Sequence, residues 1–190
     1  MTVFQRIILV FWLFFIVYWA ISAVGAKRSV GGNAWWKQSL LRLCIVVLLL
    51  VAFRIPWVGH SLHVVQLHQT GNWLLGAIGA ALVCLGIGLA VFARVYLGRN
   101  WGMPMSKKED PELVTGGPYA FVRHPIYTGI ILAMLGSTIG EAIYWVLPLI
   151  LFGAYFFYSA RREEELMREQ FGAHYQDYMR RTKMIVPFVL

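Results

Sequence analysis

Charge is scarce in this sequence. Its 190 residues include 17 lysines and arginines and nine aspartates and glutamates, so that 14% of the chain is charged and 59% is hydrophobic. A soluble domain carries about 25% charged residues, and the deficit argues against disorder and against an ordinary soluble enzyme. Two cysteines, with neither a CxxC pair nor a Cys/His array, argue against a disulfide-stapled secreted domain or a cysteine metal site. The composition instead indicates a membrane-embedded chain.

Long runs with little or no charge predict an all-α, polytopic integral membrane protein. A spanning helix needs about 20 mostly apolar residues. Five predicted spans cover residues 7–26, 39–58, 73–93, 126–140 and 142–160. Only Glu141 separates the last two spans, which predicts a helical hairpin. The charged, amphipathic segment after Ala160 predicts a helical tail with a break at Phe171-Gly172.

The length favours a single domain over residues 1–190, with the first two spans in residues 1–70 and a cofactor-binding catalytic region in residues 71–190. Fifteen of the 17 basic residues fall in the first loop, the third loop and the tail, or on their flanks, and only Arg6 and Arg54 fall on the opposite side. The positive-inside rule therefore places the N-terminus outside and the C-terminus in the cytoplasm. The net charge of +8 reflects this topology, and no nucleic-acid partner is expected.

The densest polar motif runs from Gly116 to Gly129 and contains Arg123-His124-Pro125. Pro125 is predicted at the first position of the fourth span, where its missing N–H is harmless. Arg123 and His124 would then stand at a helix N-terminus, whose free N–H groups and dipole favour an anion. An interfacial anchor built from arginine and tyrosine explains the same residues equally well.

Three consecutive acids, Glu163, Glu164 and Glu165, follow the fifth span. On a helix they fan over about 200°, so at most two of them face one pocket. One of those carboxylates could receive an ammonium group. A solvated charge run is the simpler alternative.

Two further motifs give weaker evidence for a functional site. Gly86-x-Gly88 in the third span is more typical of close helix packing than of a ligand site. His60, His63 and His68 could bind a metal, but neither a cysteine nor a carboxylate accompanies them. No metal site is predicted.

Several blocks in combination resemble the isoprenylcysteine carboxyl methyltransferase family, which is related to the phospholipid N-methyltransferases. They are Leu97-Gly-Arg-Asn-Trp101, Glu112-Leu-Val-Thr-Gly-Gly-Pro-Tyr119, Arg123-His-Pro-Ile-Tyr-Thr-Gly129, Glu163-Glu164-x-Leu166 and Phe171-Gly172-x-x-Tyr175-x-x-Tyr178. The resemblance covers residues 76–190, and the length and number of spans resemble the short microbial members.

The resemblance implies a membrane enzyme that uses S-adenosylmethionine, held between the last two spans, the preceding loop and the tail. Glu163 would bind the ammonium group of the cofactor and His124 its carboxylate. The full set of implied cofactor-binding positions is Pro111, Glu112, Leu113, Val114, Tyr119, His124, Pro125, Ile126, Tyr127 and Glu163.

The expected methyl acceptor is a lipid or a prenylated small molecule presented by membrane lipids, with no obligate protein partner. A carboxylate is already ionised at pH 7 and needs only a cation to position it, whereas an amine must lose a proton to a base. The resemblance places a substrate-contacting arginine one turn before Glu163, where this chain has Ser159. Arg123, Arg162 and Glu164 are therefore the candidate catalytic residues.

Three alternatives stay open at this point. A phospholipid amine could be the acceptor, which would make the reaction an N-methylation. Membrane sterol-type reductases are similar near Arg-His-Pro and bind NADPH instead. A non-enzymatic membrane scaffold would explain the spans, but it leaves the two polar motifs without a role.

Overall fold

A computed structural model describes residues 2–23, 29–30, 72–101, 107–108, 112–141 and 145–186. These residues form five α-helices: α1 (Val3–Ala23), α2 (Trp73–Leu97), α3 (Pro125–Gly140), α4 (Val146–Phe171) and α5 (Ala173–Arg181). Short 3-10 helices cover Gly98–Asn100 and Gly117–Ala120, and β1 (Ser29–Val30) pairs antiparallel with β2 (Lys107–Lys108). The predicted all-α class is confirmed. The predicted second span, Pro111 and the three loop histidines, His60, His63 and His68, lie outside the described residues.

Among the described residues, two helices are long and apolar enough to cross a membrane, namely residues Val3–Ser22 of α1 and the whole of α2. Helix α3 is apolar but has 16 residues, fewer than the roughly 20 that a perpendicular span requires. Helix α4 has 26 residues and is apolar only up to Ala160. The predicted third span, residues 73–93, corresponds to α2. This helix continues beyond Ala93 to Leu97 and also contains Arg94.

Local signals fix the ends of these helices. The Asn72 side chain accepts hydrogen bonds from the Leu74 and Leu75 amides and caps α2, as expected of asparagine at this position. Pro125 occupies the first turn of α3. Gly172 separates α4 from α5 with a φ of +53°, a conformation that glycine adopts without steric penalty. The predicted break at Phe171-Gly172 is confirmed.

Helices α2 and α3 pack backbone against backbone through glycines. A methyl group on Gly86 would lie 2.5 Å from the carbonyl oxygen of Gly129, and one on Gly79 would lie 2.5 Å from the amide nitrogen of Gly140. A methyl group on Gly88 would have no neighbour within 4 Å. Gly86 of the GxG motif is therefore a packing residue, whereas Gly88 has no contact that requires glycine.

Helix α1 packs along this pair. Ile8 is fully buried in a core cluster shared with α2 and α3. Trp12 donates its indole N–H to the Ser137 hydroxyl at 3.0 Å and stacks on Trp145 before α4, with ring centroids 5.5 Å apart. The opposite face of α1 exposes large apolar side chains, among them Val10, Leu13, Val17 and Ile21. These contacts bring the last turn of α1, the last turn of α2 and the first turn of α3 to one end of the bundle.

Candidate functional site

A polar cluster forms where the beginning of α3 meets the charged half of α4. Arg123 and His124 directly precede α3, and Glu163 and Glu164 follow the apolar part of α4. The Arg123 Nε lies 2.6 Å from Oε1 of Glu164, and these side chains are only 9% and 3% exposed. The two densest polar motifs of the sequence, 41 positions apart, therefore meet in space as a buried ion pair.

Three basic side chains surround the Glu164 carboxylate. Besides Arg123, Arg168 places Nη2 3.6 Å from Oε2, and His124 places Nε2 3.7 Å from Oε1. Burial alone would raise the pKa of Glu164, but His124 and Arg123 outweigh burial and lower it below its ordinary value. Glu164 is thus an ionised carboxylate that is already engaged within the protein.

Glu163 lies on the other side of the imidazole. Its Oε1 accepts a hydrogen bond from the Tyr127 hydroxyl at 2.5 Å, and its Oε2 lies 3.5 Å from Nδ1 of His124. The Glu163 side chain is 24% exposed, which makes it the more accessible acid of the pair. The rings of His124, Tyr127 and Phe156 stack in series, with centroids 5.5 Å and 4.8 Å apart. The site therefore combines an accessible anionic oxygen with flat aromatic faces.

His124 lies between the two acids. Burial disfavours its charged form, but the contacts with Glu163 and Glu164 outweigh burial and raise the pKa of His124 above its ordinary value. Its Nε2 is buried and, among the described residues, has no hydrogen-bond partner, because 3.7 Å to Glu164 exceeds hydrogen-bonding distance. The imidazolium form keeps one N–H that can donate to a ligand.

The tail returns to the beginning of α3 and closes the cluster. The backbone amides of Arg123 and His124 donate to the carbonyl oxygens of Lys183 and Met184 at 2.8 and 3.0 Å. The Arg123 Nη1 also donates to the Thr182 carbonyl at 2.5 Å. The two amides directly before α3 are therefore occupied by the tail. The His124 side chain can still receive an anion at this position.

Tyr119 joins the preceding loop to the rest of the site. Its hydroxyl donates to the Ala93 carbonyl in α2 at 3.3 Å, and its carbonyl accepts a hydrogen bond from the Tyr178 hydroxyl in α5 at 2.6 Å. Burial, with the charge of Glu163 as a smaller cause, raises the pKa of the Tyr119 phenol. Tyr119 thus remains protonated at neutral pH and links two helices to the loop.

The other loop positions of the expected cofactor pocket are less enclosed. Glu112 is exposed and accepts a hydrogen bond from the Asn100 amide at 3.0 Å, Leu113 is half-buried, and Val114 packs against the core. The loop and α5 also border an open cavity of about 360 Å³. In the first turn of α3, Pro125, Ile126 and Tyr127 are all buried. The described members of the expected set therefore lie on consecutive segments around the cluster.

The three candidate catalytic residues are placed differently. Arg123 and Glu164 bind each other and hold the tail, as described above. Arg162 is 55% exposed and pairs with Glu165 at 2.7 Å on the surface of α4, so the structure does not bring it into the cluster. Ser159 is fully buried, and its hydroxyl has no hydrogen-bond partner among the described residues.

Two further buried polar residues, which lie at the end of α2 and directly after it, were not identified from the sequence. Arg94 is 5% exposed and Asn100 is 8% exposed. The available signal for Arg94 was its spacing, because Gly86, Ala90 and Arg94 recur every four residues on the packed face of α2. An arginine on that face points inward instead of towards the interface.

Comparisons with known proteins identify related chains. A family model described as phospholipid methyltransferase matches residues 74–174, from α2 into α5. Protein-S-isoprenylcysteine O-methyltransferase B of Arabidopsis thaliana is 27% identical over 122 residues, which cover 62% of this chain and 62% of that protein. The nickel-cobalt-cadmium resistance protein NccN of Alcaligenes xylosoxydans xylosoxydans is 32% identical over 112 residues, which cover 58% of this chain and 52% of that protein.

A solved structure has the same fold. It is the eukaryotic intramembrane Ras methyltransferase, isoprenylcysteine carboxyl methyltransferase, which superposes with a TM-score of 0.56 at 24% identity. The match covers 84% of this chain and 55% of that one. The chain therefore spans between half and two thirds of the length of these relatives.

Proposed function

Because the chain belongs to the phospholipid methyltransferase family, we propose that it is a membrane enzyme that transfers a methyl group from S-adenosylmethionine to a lipid-soluble acceptor. The observation that carries the proposal is the Glu163 carboxylate, which contacts His124 and Tyr127 beside the His124–Tyr127–Phe156 stack. The relatives named as methyltransferases support the reaction class.

The residues present suit this cofactor. When bound, it supplies a methyl group activated by a sulfonium centre, and it also carries an ammonium, a carboxylate and an adenosine. Glu163 would hold the ammonium, because its carboxylate is the accessible one of the pair. The buried Nε2 of His124, which has no hydrogen-bond partner in the described part of the chain, would donate to the cofactor carboxylate. Leu113, Val114 and Tyr119 would line the adenine position.

The protein itself orients the reactants and encloses the site. Arg123 and Glu164 hold the tail over the site and exclude water from it, since their side chains are almost wholly buried. A carboxylate acceptor requires no base, and in that case the Glu163–His124–Tyr127 group only positions the reactants. An oriented acceptor close to an activated methyl group is the main requirement for this transfer.

For the acceptor we propose an isoprenylcysteine-type carboxylate, which the names of the relatives support. A phospholipid amine is the second candidate, favoured by the description of the family model. Its N-methylation would need a group that takes up a proton, and Glu163 is the accessible carboxylate for that role. Both proposed acceptors are prenylated or lipid substrates in the membrane.

The proposal includes the membrane topology. We propose five spans, with residues 39–58 as the second, α3 and α4 as a hairpin, the N-terminus outside, and the tail with the cofactor site in the cytoplasm. The described helices contribute two candidate spans, and the uneven distribution of basic residues supports the orientation. We also propose that residues 1–190 form a single domain, with the site in residues 71–190.

Calorimetric titration of the purified protein with S-adenosylmethionine and with NADPH tests the reaction class. We expect saturable binding of S-adenosylmethionine alone. Binding of NADPH alone would support a reductase instead, and binding of neither would favour a scaffold. Labelled cofactor incubated with membrane lipid extract and with farnesylcysteine would then identify the acceptor from the labelled product.

A further inference from the structure

A buried cation lies outside the Glu163–Glu164 cluster, at the end of α2. The Arg94 side chain is 5% exposed, and its guanidinium lies 4.6 Å from the ring centroid of Trp101. Its two terminal nitrogens donate to backbone carbonyls, Nη1 to Gly98 at 2.8 Å and Nη2 to Ser22. These bonds join the last turn of α1 to the last turn of α2.

The described contacts leave Arg94 without an anion. No carboxylate in the described part of the chain forms an ion pair with it, and its Nε is buried without a hydrogen-bond partner. Carbonyls at the ends of two helices offset part of the charge, but they occupy only Nη1 and Nη2. A buried charge that lacks both a counterion and one hydrogen bond is costly unless a ligand supplies them.

The surroundings of Arg94 indicate what kind of ligand would arrive. Trp101 packs edge-on against Trp19 of α1, with centroids 5.7 Å apart. Trp19 belongs to a helix that is apolar enough to lie in a membrane. An anion that reaches Nε beside Trp101 therefore meets apolar aromatic surroundings, which suit the headgroup of a membrane-borne amphiphile.

The location also connects Arg94 to the cofactor side. Tyr119 donates its hydroxyl to the carbonyl of Ala93, the residue directly before Arg94. Tyr119 and Trp101 belong to the same core cluster as Tyr127, whose hydroxyl binds Glu163. One continuous packed layer therefore runs from Arg94 to the proposed ammonium site.

We propose that Arg94 binds the anionic oxygen group, a carboxylate or a phosphate, of a membrane-borne acceptor through its free Nε–H. This inference rests on the proposed function and adds to it an acceptor-binding residue outside the two polar motifs. The charge of Arg94 selects acceptors that carry an anion, while Trp19 and Trp101 contact the apolar part next to it.

The test uses the full chain in nanodiscs of zwitterionic phosphatidylcholine. Binding of N-acetyl-S-farnesylcysteine is compared with binding of its neutral carboxamide, in the wild type, in Arg94→Gln and in Arg94→Lys. The wild type should prefer the carboxylate about tenfold, which is the order expected for one charge-assisted hydrogen bond. Arg94→Gln should reduce this preference to below about twofold, and Arg94→Lys should keep part of it.

The matched control is Arg161→Gln. Arg161 is also an arginine that lies against an aromatic ring, Phe157 at 5.1 Å, but it is exposed. Its removal should leave the preference unchanged. Equal affinities of the wild type for the two probes would overturn the proposal even where the Arg94 variants do not fold, and so would an undiminished preference in Arg94→Gln.

Further measurements separate the proposal from its alternatives. Calorimetry with S-adenosylmethionine should give the same Kd in Arg94→Gln and the wild type, and loss of that binding would show a structural role only. Absence of cofactor binding in the wild type would refute the proposed function while the anion preference still decides the role of Arg94. Competition by phosphatidylglycerol would identify a lipid phosphate as the source of the anion, whereas competition by millimolar free acetate or phosphate would contradict a membrane-borne ligand.

Discussion

Replacement of Arg123 by glutamine should destabilise the protein far more than the same replacement of Arg162. Arg123 and Glu164 are 9% and 3% exposed, whereas Arg162 and Glu165 are 55% and 52% exposed, and the two N–O distances are nearly the same, 2.6 and 2.7 Å. Removing one partner of a buried pair costs about 3–5 kcal/mol because the other charge remains buried. An exposed pair contributes about 0–1 kcal/mol.

The assay is thermal unfolding in detergent micelles, followed by circular dichroism. For a chain of this length about 1 kcal/mol corresponds to a shift in Tm of roughly 2–4 °C, so Arg123→Gln should lower Tm by about 10 °C and Arg162→Gln by less than about 3 °C.

Because Arg123 also donates to Thr182 and Met179, hydrogen exchange in Arg123→Gln should accelerate first in residues 173–186. The double variant Arg123→Met/Glu164→Leu should be less destabilised than the sum of its single variants. Equal shifts for the two arginines, or strict additivity, would refute this account of the cluster.

Three further predictions concern the same end of the bundle. Glu163→Gln should weaken S-adenosylmethionine binding at least tenfold in calorimetry while the protein still folds. Glu165→Gln should leave this binding unchanged, and unchanged affinity in Glu163→Gln would contradict the ammonium site. Gly86→Ala should cost about 1–3 kcal/mol of stability through overpacking, while Gly88→Ala should be neutral or slightly stabilising, and equal thermal shifts would contradict the backbone contact with α3. Stability should also depend on pH in two ranges. Because folding raises the pKa of His124, its contribution to the free energy of unfolding is complete below pH 6.5 and is lost as the pH rises through its pKa in the folded state. Because folding lowers the pKa of Glu164, its contribution is complete above pH 4.5 and is lost as the pH falls through its pKa in the folded state. In melting curves recorded at a series of pH values, His124→Gln should remove the decrease in Tm that the wild type shows as the pH rises above 6.5.

The sequence predicts well what depends on local chemistry. Proline at the first turn of α3 and glycine between α4 and α5 act on their own backbone, and both helix ends were located correctly. The distribution of basic residues predicted both polar motifs on one side of the membrane, but no pattern in the sequence paired Arg123 with Glu164. Helical periodicity also limited the number of acids that could face one pocket, and Glu165 indeed faces away.

The sequence does not predict which partner each polar group selects. Arg162 adjoins Glu163 in sequence, but consecutive helical residues differ in direction by about 100°, so it points to the surface. Whether the amides before α3 bind a ligand or the tail depends on where residues 182–186 return, and no local pattern encodes that return. The inward direction of Arg94 likewise depends on the glycine contact between α2 and α3.

The tail contact has a consequence for the synthesis of the protein. Arg123 is made 59 positions before Thr182, whose carbonyl it binds. At roughly 5–20 residues per second, the ribosome adds that distance in about 3–12 s. During this interval α3 can already associate with α2, while the Arg123 and His124 amides still lack the carbonyls of the tail. The proposed cofactor site is therefore the last part of the bundle to mature, and we expect a nascent chain without its tail to lack cofactor binding.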